Sequence, residues 1–370
     1  MQSVRLWVWL LSALVSILIS KQTHLIFHLS QLLDFLSVPQ WIYLLPISLT
    51  LAWGIAQVCF IWLNTLKIPS RGKAVFITGC DSGFGHHLAL RLRDRGFLVF
   101  AGCLFPQGEG ASRLIKSSQK TRGDGAILVV PCDVTSEDSL KEAVNFVSTN
   151  LRGKALWAVV ANAGILTSGY VEWASMSKLQ RMFDVNVFGV MRTIRAFVPF
   201  LRTSKGRVVV TTSWAAHFAA PNLVSYAMTK HAVLALCNGL RAELLPFGIE
   251  VSSIEPNMYK TSIIPPSSDE LDELWASLTD EQQTAYGDAL LKKSHQMLKD
   301  FAHLCESDLT FPINTFEHAI VSRFPKPSYQ SDRLSMLILS KIVLFLPEQF
   351  NDFLLQNVNR LLSLGRLLHN

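Results

Sequence analysis

The sequence predicts an α/β chain with a doubly wound parallel sheet and hydrophobic membrane-anchor material at its N-terminal end. Three observations predict it. Ala74–Gly85, read AVFITGCDSGFG, is a short apolar run, a glycine-punctuated turn, and the start of a segment with helical spacing (Leu88, Leu90, Leu92). Apolar strand-like runs then alternate with helical segments as far as Glu255, the pattern of parallel strands joined by right-handed crossovers. Ahead of both lie two apolar runs, Leu6–Ser20 and Trp41–Leu63.

The first strand, Ala74–Thr78, is almost wholly apolar, as suits a strand buried on both faces. Gly79, Gly83 and Gly85 follow in the spacing T-G-x-x-x-G-x-G, which differs from the G-x-G-x-x-G of the commoner dinucleotide fold. A strand, a glycine turn and a helix make a seat for a nucleotide's phosphates. Helix N-terminal amides point outward with a positive dipole, and glycine lets backbone approach a pyrophosphate. Alone this is weak, because glycine turns join many strands to helices.

Phe97–Cys103 reads as a second strand and Ala126–Pro131 as a third, with Asp133 just beyond and Ser136 as a helix cap. Leu156–Ala161 is a fourth, ending in Asn162-Ala163-Gly164, and a long helix is expected from about Ser177 to Arg202. Arg207–Thr212 is a fifth strand, Leu223–Leu245 a helix, and Ile249–Glu255 a sixth strand. After Glu255 the alternation lapses. Pro265 and Pro266 open an irregular, partly helical insert through Leu309, expected as a substrate lid over residues 262–310. The acidic group Asp269–Glu273 reads as a solvated helix face. The domain so defined covers residues 71–333. Two further apolar segments, Leu334–Leu346 and Phe350–Leu368, are too interrupted to span a bilayer and read as packing or membrane-surface helices.

Residues 1–70 are expected to be the anchor. Trp41–Leu63 holds no charged residue and meets the about 20 residues a crossing needs. Leu6–Ser20 lacks a small-x-small cleavage site, so it reads as part of an uncleaved anchor of one or two spans, with amphipathic His24–Val38 between. Lys67, Arg71 and Lys73 after the long run favour a cytosolic α/β domain. Hydrophobic residues make up 49% of the chain and charged ones 17%, with net charge +6. The basic residues are scattered, which argues against nucleic acid and suits a membrane surface. Six cysteines without C-x-x-C or regular spacing argue against a disulfide framework or a zinc site.

The chemistry is carried by Tyr226-Ala-Met-Thr-Lys230, with Ser213 lying 13 positions upstream. Tyr and Lys at i and i+4 share a helix face, so an ammonium can lower the phenol's pKa from about 10 toward the working range. A phenolate is a competent base for an alcohol proton, and Ser213, just after a strand, can bond the same oxygen. Y-x-x-x-K recurs by chance in helices. The order of glycine turn, Asn-Ala-Gly, Ser and Tyr/Lys on successive elements of one sheet is what gives it weight.

With these motifs the chain resembles the short-chain dehydrogenase/reductase family over Lys73–Thr261. The resemblance implies a Rossmann-type fold, Tyr226 as acid/base, Lys230 as its partner and ribose ligand, and Ser213 as orienter of the substrate oxygen. It implies that Asn186, in D-V-N-V-F-G, completes a catalytic tetrad by holding a relay water. The cofactor would lie on Gly79, Asp81, Ser82, Gly83, Phe84 and Gly85. Asp133 would meet the adenine, Asn162, Ala163 and Gly164 the ribose side, and Pro256 and Thr261 the nicotinamide. Substrate would meet Ser213, Tyr226 and His217. Two positions depart from the family pattern: Ala161 stands where Asn often begins N-N-A-G, and Asn257 replaces the Gly of Pro-Gly.

TGCDSGFG, GFLVFAGCL, LWAVVANAG, LRAELLPFGIEVS and FEHAIVSRFPKPSY are similar to the branch holding retinol dehydrogenases, type 2 11β- and 17β-hydroxysteroid dehydrogenases and D-3-hydroxybutyrate dehydrogenase. That branch largely uses NAD and is membrane-attached. The expectation is an NAD-dependent oxidoreductase acting on an apolar, steroid- or retinoid-like alcohol or ketone, without metal, in the endoplasmic reticulum ahead of the mitochondrial inner membrane. A homo-oligomer is left open. The alternatives are D-3-hydroxybutyrate oxidation and a non-catalytic membrane scaffold of the same fold. His86 and His87 read as solvent or packing residues.

Overall fold

The computed structural model describes residues 7–16, 40–119, 125–263 and 268–331, together with residues 347, 349, 350 and 353. It divides into two units, Met1–Pro69 with Val321–Pro325, and Ser70–Ile320 with Lys326–Asn370.

In the second unit, strands β1 (Lys73–Thr78), β2 (Leu98–Cys103), β3 (Ala126–Pro131), β4 (Ala155–Ala161), β5 (Arg207–Thr211), β6 (Glu250–Pro256) and β7 (Ser328–Ser331) form one sheet. The strand order is β3-β2-β1-β4-β5-β6-β7, and every pairing is parallel. The six strands expected from the apolar runs are present. The seventh is not announced by its sequence, since SYQS alternates half-buried Ser328 and Gln330 with buried Tyr329 and Ser331. The alternation after Glu255 is therefore interrupted by three helices rather than ended.

Helix α1 (Gly83–Asp94) buries Leu88, Ala89 and Leu92 behind the glycine turn. α2 (Glu109–Gln119) follows β2, and α3 (Glu137–Asn150) follows β3. The Ser136 side chain accepts from the Ser139 amide at the start of α3, as its place before the acidic first turn predicts. The long helix expected over 177–202 is two helices, α4 (Met176–Phe183) and α5 (Gly189–Ser204), joined by a π turn at Asp184–Phe188. α5 buries Ile194, Phe197 and Leu201, and the Phe197 ring stacks on Phe76 of β1 with centroids 4.2 Å apart. α6 (Val224–Glu243) carries the Tyr/Lys motif.

The insert beyond β6 is more helical than expected: α7 (Ser268–Ala276), α8 (Asp280–Leu304) and α9 (Thr310–Val321). Thr279 and Gln282 close a capping box at the start of α8. Leu271, Leu278 and Trp173 form a small core of their own with Tyr170, Trp275 and Tyr286 packed against it. Within the acidic group, Asp272 and Glu273 are exposed while Leu271 between them and Glu270 is buried.

In the first unit, Gln40–Thr65 is a helix whose stretch Leu45–Thr65 is long and apolar enough to cross a membrane. A shorter apolar helix, Trp7–Ser16, runs against it, with Trp9 edge-on to Phe60 and the Ser16 hydroxyl bonded to the Ser48 carbonyl. The His24–Val38 stretch lies outside the described residues, as does Leu334–Leu368 apart from single positions.

Phe197→Ala should lower stability by about 3–5 kcal/mol, the usual cost of emptying an aromatic site in a packed core. Thermal unfolding of the detergent-solubilised chain checks it, and a midpoint unchanged from the natural protein would mean α5 does not rely on this contact.

Candidate active site

The strand order reverses between β1 and β4, which is where an open parallel sheet leaves a crevice at its carboxyl ends. That crevice is lined by Gly79, Asp81, Ser82, Gly83, Phe84, Asp133, Asn162, Ala163, Gly164, Ser213, Tyr226, Lys230, Pro256 and Thr261. These are fourteen of the seventeen residues singled out in the sequence. The other three, Gly85, Asn186 and His217, are outside the lining; Asn186 bonds the lining residue Ile165, and His217 bonds Glu255, the residue before lining Pro256.

Gly79 turns the chain at φ +69°, in the left-handed region that favours glycine. A Cβ at Gly85 would lie 2.4 Å from the Gly79 carbonyl oxygen and 2.7 Å from Asn162 Nδ2, so only glycine lets the turn close this tightly. Ser82 precedes α1 without capping it by its side chain, which leaves the first amides of that helix for an anion. The Ser82 hydroxyl instead bonds that of Ser262, at the start of the insert. The Asp81 carboxylate accepts the amides of Leu104 (3.0 Å) and Phe105 (2.8 Å). It therefore places its charge at the end of β2.

Asn162 ties three strand ends together. Its Nδ2 donates to the carbonyls of Thr78 (3.0 Å) and Gly79 (3.2 Å), and its Oδ1 accepts from Thr211 Oγ1 (3.1 Å). Thr78 Oγ1 in turn accepts the amides of Asn162 and Ala163, both at 3.0 Å. Asn186 sits on the π turn and is fully buried. Its Oδ1 accepts the Ile165 amide (2.8 Å), and its Nδ2 donates to the Ile165 carbonyl (2.9 Å) and Thr229 Oγ1 (3.1 Å). The Asn186 side chain is thus committed to fixing the irregular segment after Gly164. Single π turns inside helices often mark functional sites. At the far end, Asp133 Oδ1 accepts the amide and hydroxyl of Thr135.

Tyr226 and Lys230 lie one turn apart near the start of α6, both buried. Lys230 Nζ donates to the Thr211 carbonyl at 3.0 Å and stands 5.5 Å from the Tyr226 ring centre. Burial pushes the Tyr226 phenol up to about 12, against a hydrogen bond from Ser213 that acts the other way. Burial also pushes the Lys230 ammonium down to about 8. Burial weakens each charged form taken alone. Phenolate and ammonium formed together share the penalty through their mutual attraction.

His217 is placed differently from a substrate contact. Its Nε2 meets the buried Glu255 carboxylate at 3.0 Å. Burial pushes the Glu255 carboxyl up, but hydrogen bonds from His217, Ser328 and Ser253 more than offset it and hold it below the ordinary range. Sequence reasoning missed Glu255, Thr211 and Thr229 as parts of the site. For Thr229 the signal was its place inside the Tyr/Lys motif. His86 is buried, with Nδ1 3.3 Å from the Cys80 carbonyl. All six cysteines are free.

A parallel sheet with a glycine cradle at its topological switch and a Tyr/Lys pair beyond it defines a nicotinamide-dependent oxidoreductase. The family model for short chain dehydrogenase matches residues 73–272, and the chain belongs to that family. Mitochondrial D-beta-hydroxybutyrate dehydrogenase of Rattus norvegicus is 34% identical over 70% of this chain and 76% of its own. Retinol dehydrogenase 5 of Homo sapiens is 34% identical over 77% and 88%. Estradiol 17-beta-dehydrogenase 2 of Rattus norvegicus is 33% identical over 78% and 76%. The crystal structure of a short-chain dehydrogenase from Streptomyces avermitilis shares the fold, with TM-score 0.59 and 20% identity over 79% of this chain and 98% of its own.

Lys230→Met should raise the melting midpoint at pH 7 while abolishing turnover, because it removes a buried cation. A lysine depressed from 10.5 to about 8 costs stability below about pH 8, and the cost fades as pH rises through 10.5. The midpoint advantage of the variant should therefore shrink over that window. An advantage that is absent at pH 7, or constant to pH 10.5, would mean Lys230 is not a destabilising buried ammonium.

Proposed function

We propose that the chain oxidises a hydroxyl on a bulky apolar alcohol, steroid- or retinoid-like, with NAD as acceptor. The observation that carries this is the buried Tyr226, with Ser213 and Lys230 beside it, at one end of a cleft whose other end is a glycine cradle. Ser213 and Tyr226 hold the alcohol oxygen, and Tyr226 takes its proton as phenolate. Lys230, fixed on Thr211, keeps its charge where the phenolate forms, and Asn186 fixes the backbone after Gly164. A bound nicotinamide would accept the hydride; Gly79–Gly85 and Asp133 would hold its dinucleotide.

The apolar substrate is supported by the lining. The cations along the cleft are Lys230, held on Thr211, and Arg181, which donates to Thr135 Oγ1. His217 is occupied by Glu255 and Lys260 is exposed, whereas a small hydroxy acid needs a cation or strong donor for its carboxylate. The names of the retinol and estradiol relatives agree with this reading; that of the hydroxybutyrate relative favours the alternative. Leu45–Thr65 serves as the membrane anchor, in the endoplasmic reticulum ahead of the mitochondrial inner membrane, which would keep the cleft near lipid-dissolved substrate.

Tyr226→Phe removes only the proton-transfer group, so turnover should fall by about a hundredfold or more with little change in NADH affinity. Turnover is read as NADH formed from a panel of steroids, retinol and 3-hydroxybutyrate. Near-normal rates in the variant would end the mechanism, and efficient turnover of 3-hydroxybutyrate alone would reverse the substrate order.

NAD should be preferred over NADP. The turn Cys80–Ser82 and the residues Cys103–Phe105 contain no Lys or Arg, and the Asp81 carboxylate bonded there would repel a 2′-phosphate. A higher kcat/KM with NADP would contradict this.

A further inference from the structure

We propose that His217 and Glu255 are a positioning pair for Ser213, holding its hydroxyl where the substrate oxygen is bound. This rests on the reading that Ser213 and Tyr226 share that oxygen.

Ser213 and His217 are the two ends of one short turn. Trp214–Ala216 is a single 3₁₀ turn, in which the Ala216 amide donates to the Ser213 carbonyl and the His217 amide to the Trp214 carbonyl, both at 3.0 Å. The Ser213 hydroxyl also accepts the Ala215 amide at 3.1 Å. Such turns are short and their hydrogen bonds poorly aligned, so one turn alone sets a side chain loosely. The neighbouring Thr212 is bonded to the Ile254 carbonyl of β6 by its amide (2.8 Å) and hydroxyl (2.9 Å), whereas the Ser213 hydroxyl contacts the sheet at long range, 3.5 Å from its Oγ to the Pro256 carbonyl.

The short contact is at the other end, between His217 Nε2 and Glu255 Oε2 at 3.0 Å. Glu255 is itself rigidly held. It is 3% exposed, and its second oxygen accepts from Ser253 (2.9 Å) on β6 and Ser328 (2.6 Å) on β7. Glu255 also directly precedes Pro256. A closed ring results: turn from Ser213 to His217, hydrogen bond to Glu255, peptide bond to Pro256, and hydrogen bond back to Ser213. Opening it at His217 frees the turn without touching cofactor residues.

The test uses the full chain with the panel alcohol that it turns over. His217→Asn keeps a polar side chain that stops short of Glu255, and His217→Gln restores the reach with an amide donor. His217→Asn should lower kcat by about tenfold or more, the scale of loss for a misplaced reacting group. Substrate KM, NADH affinity and the melting midpoint should stay close to those of the natural chain, and His217→Gln should recover most of the lost kcat. The proposal is overturned by an unchanged kcat in His217→Asn, by a rise in KM alone, which would make His217 a substrate contact, or by a loss of NADH binding and midpoint, which would make the pair a fold element. It is also overturned if His217→Gln is no better than His217→Asn. Tyr226→Phe measured alongside separates the two readings. Turnover surviving there removes the reading beneath; turnover lost there but kept in His217→Asn removes only the pair's role.

Discussion

The Lys230 ammonium, buried in the cleft and held on the Thr211 carbonyl, is the constraint on which the site depends. A cation in that position is costly, and a phenol buried beside it resists ionising. The two penalties are relieved together when Tyr226 gives up its proton and Lys230 keeps its own. Burial by itself opposes the phenolate; on the proposed mechanism, the attraction of the ammonium beside it is what would favour the charge state that takes a proton from an alcohol.

Holding such a pair requires the strand ends around it to be rigid. The structure achieves this with small polar side chains whose hydrogen bonds are satisfied across the sheet. Thr78, Asn162 and Thr211 join the ends of β1, β4 and β5. Asn186 bonds Ile165 in both directions and reaches Thr229 on α6, the residue before Lys230. Glu255 does the same for β6 and β7. The ties through Thr78, Asn162, Thr211 and Glu255 gather at the carboxyl ends of β1, β4, β5 and β6, around the cleft.

The strands were legible in the sequence because burial on both faces makes them continuous apolar runs, as in AVFIT and LVFAGC. β7 was not, because a four-residue edge strand rich in serine draws its burial from Glu255 and β6 rather than from its own apolarity. The π turn at Asp184–Phe188 leaves the apolar spacing intact across one inserted residue, so the segment read as one helix. The line of cleft residues was legible through motif order. What could not be read was which side chains face the cleft and which brace it. Asn186 and Asn162 look like ligands in a linear sequence, yet their side chains are engaged in ties to backbone and to the hydroxyls of Thr229 and Thr211. His217 follows Ser213 closely, but its partner lies 38 positions on, a pairing that only the return of β6 beside β5 creates.

The central claim is that this cleft moves hydrogen from a carbinol carbon to a nicotinamide while Tyr226 takes the hydroxyl proton. It is tested most directly by supplying NAD and an alcohol deuterated at its carbinol carbon, then locating the label. The account predicts one deuterium on the nicotinamide ring of the NADH formed, with none exchanged into water. Product formed without label on the nicotinamide, or label lost to solvent, would contradict it.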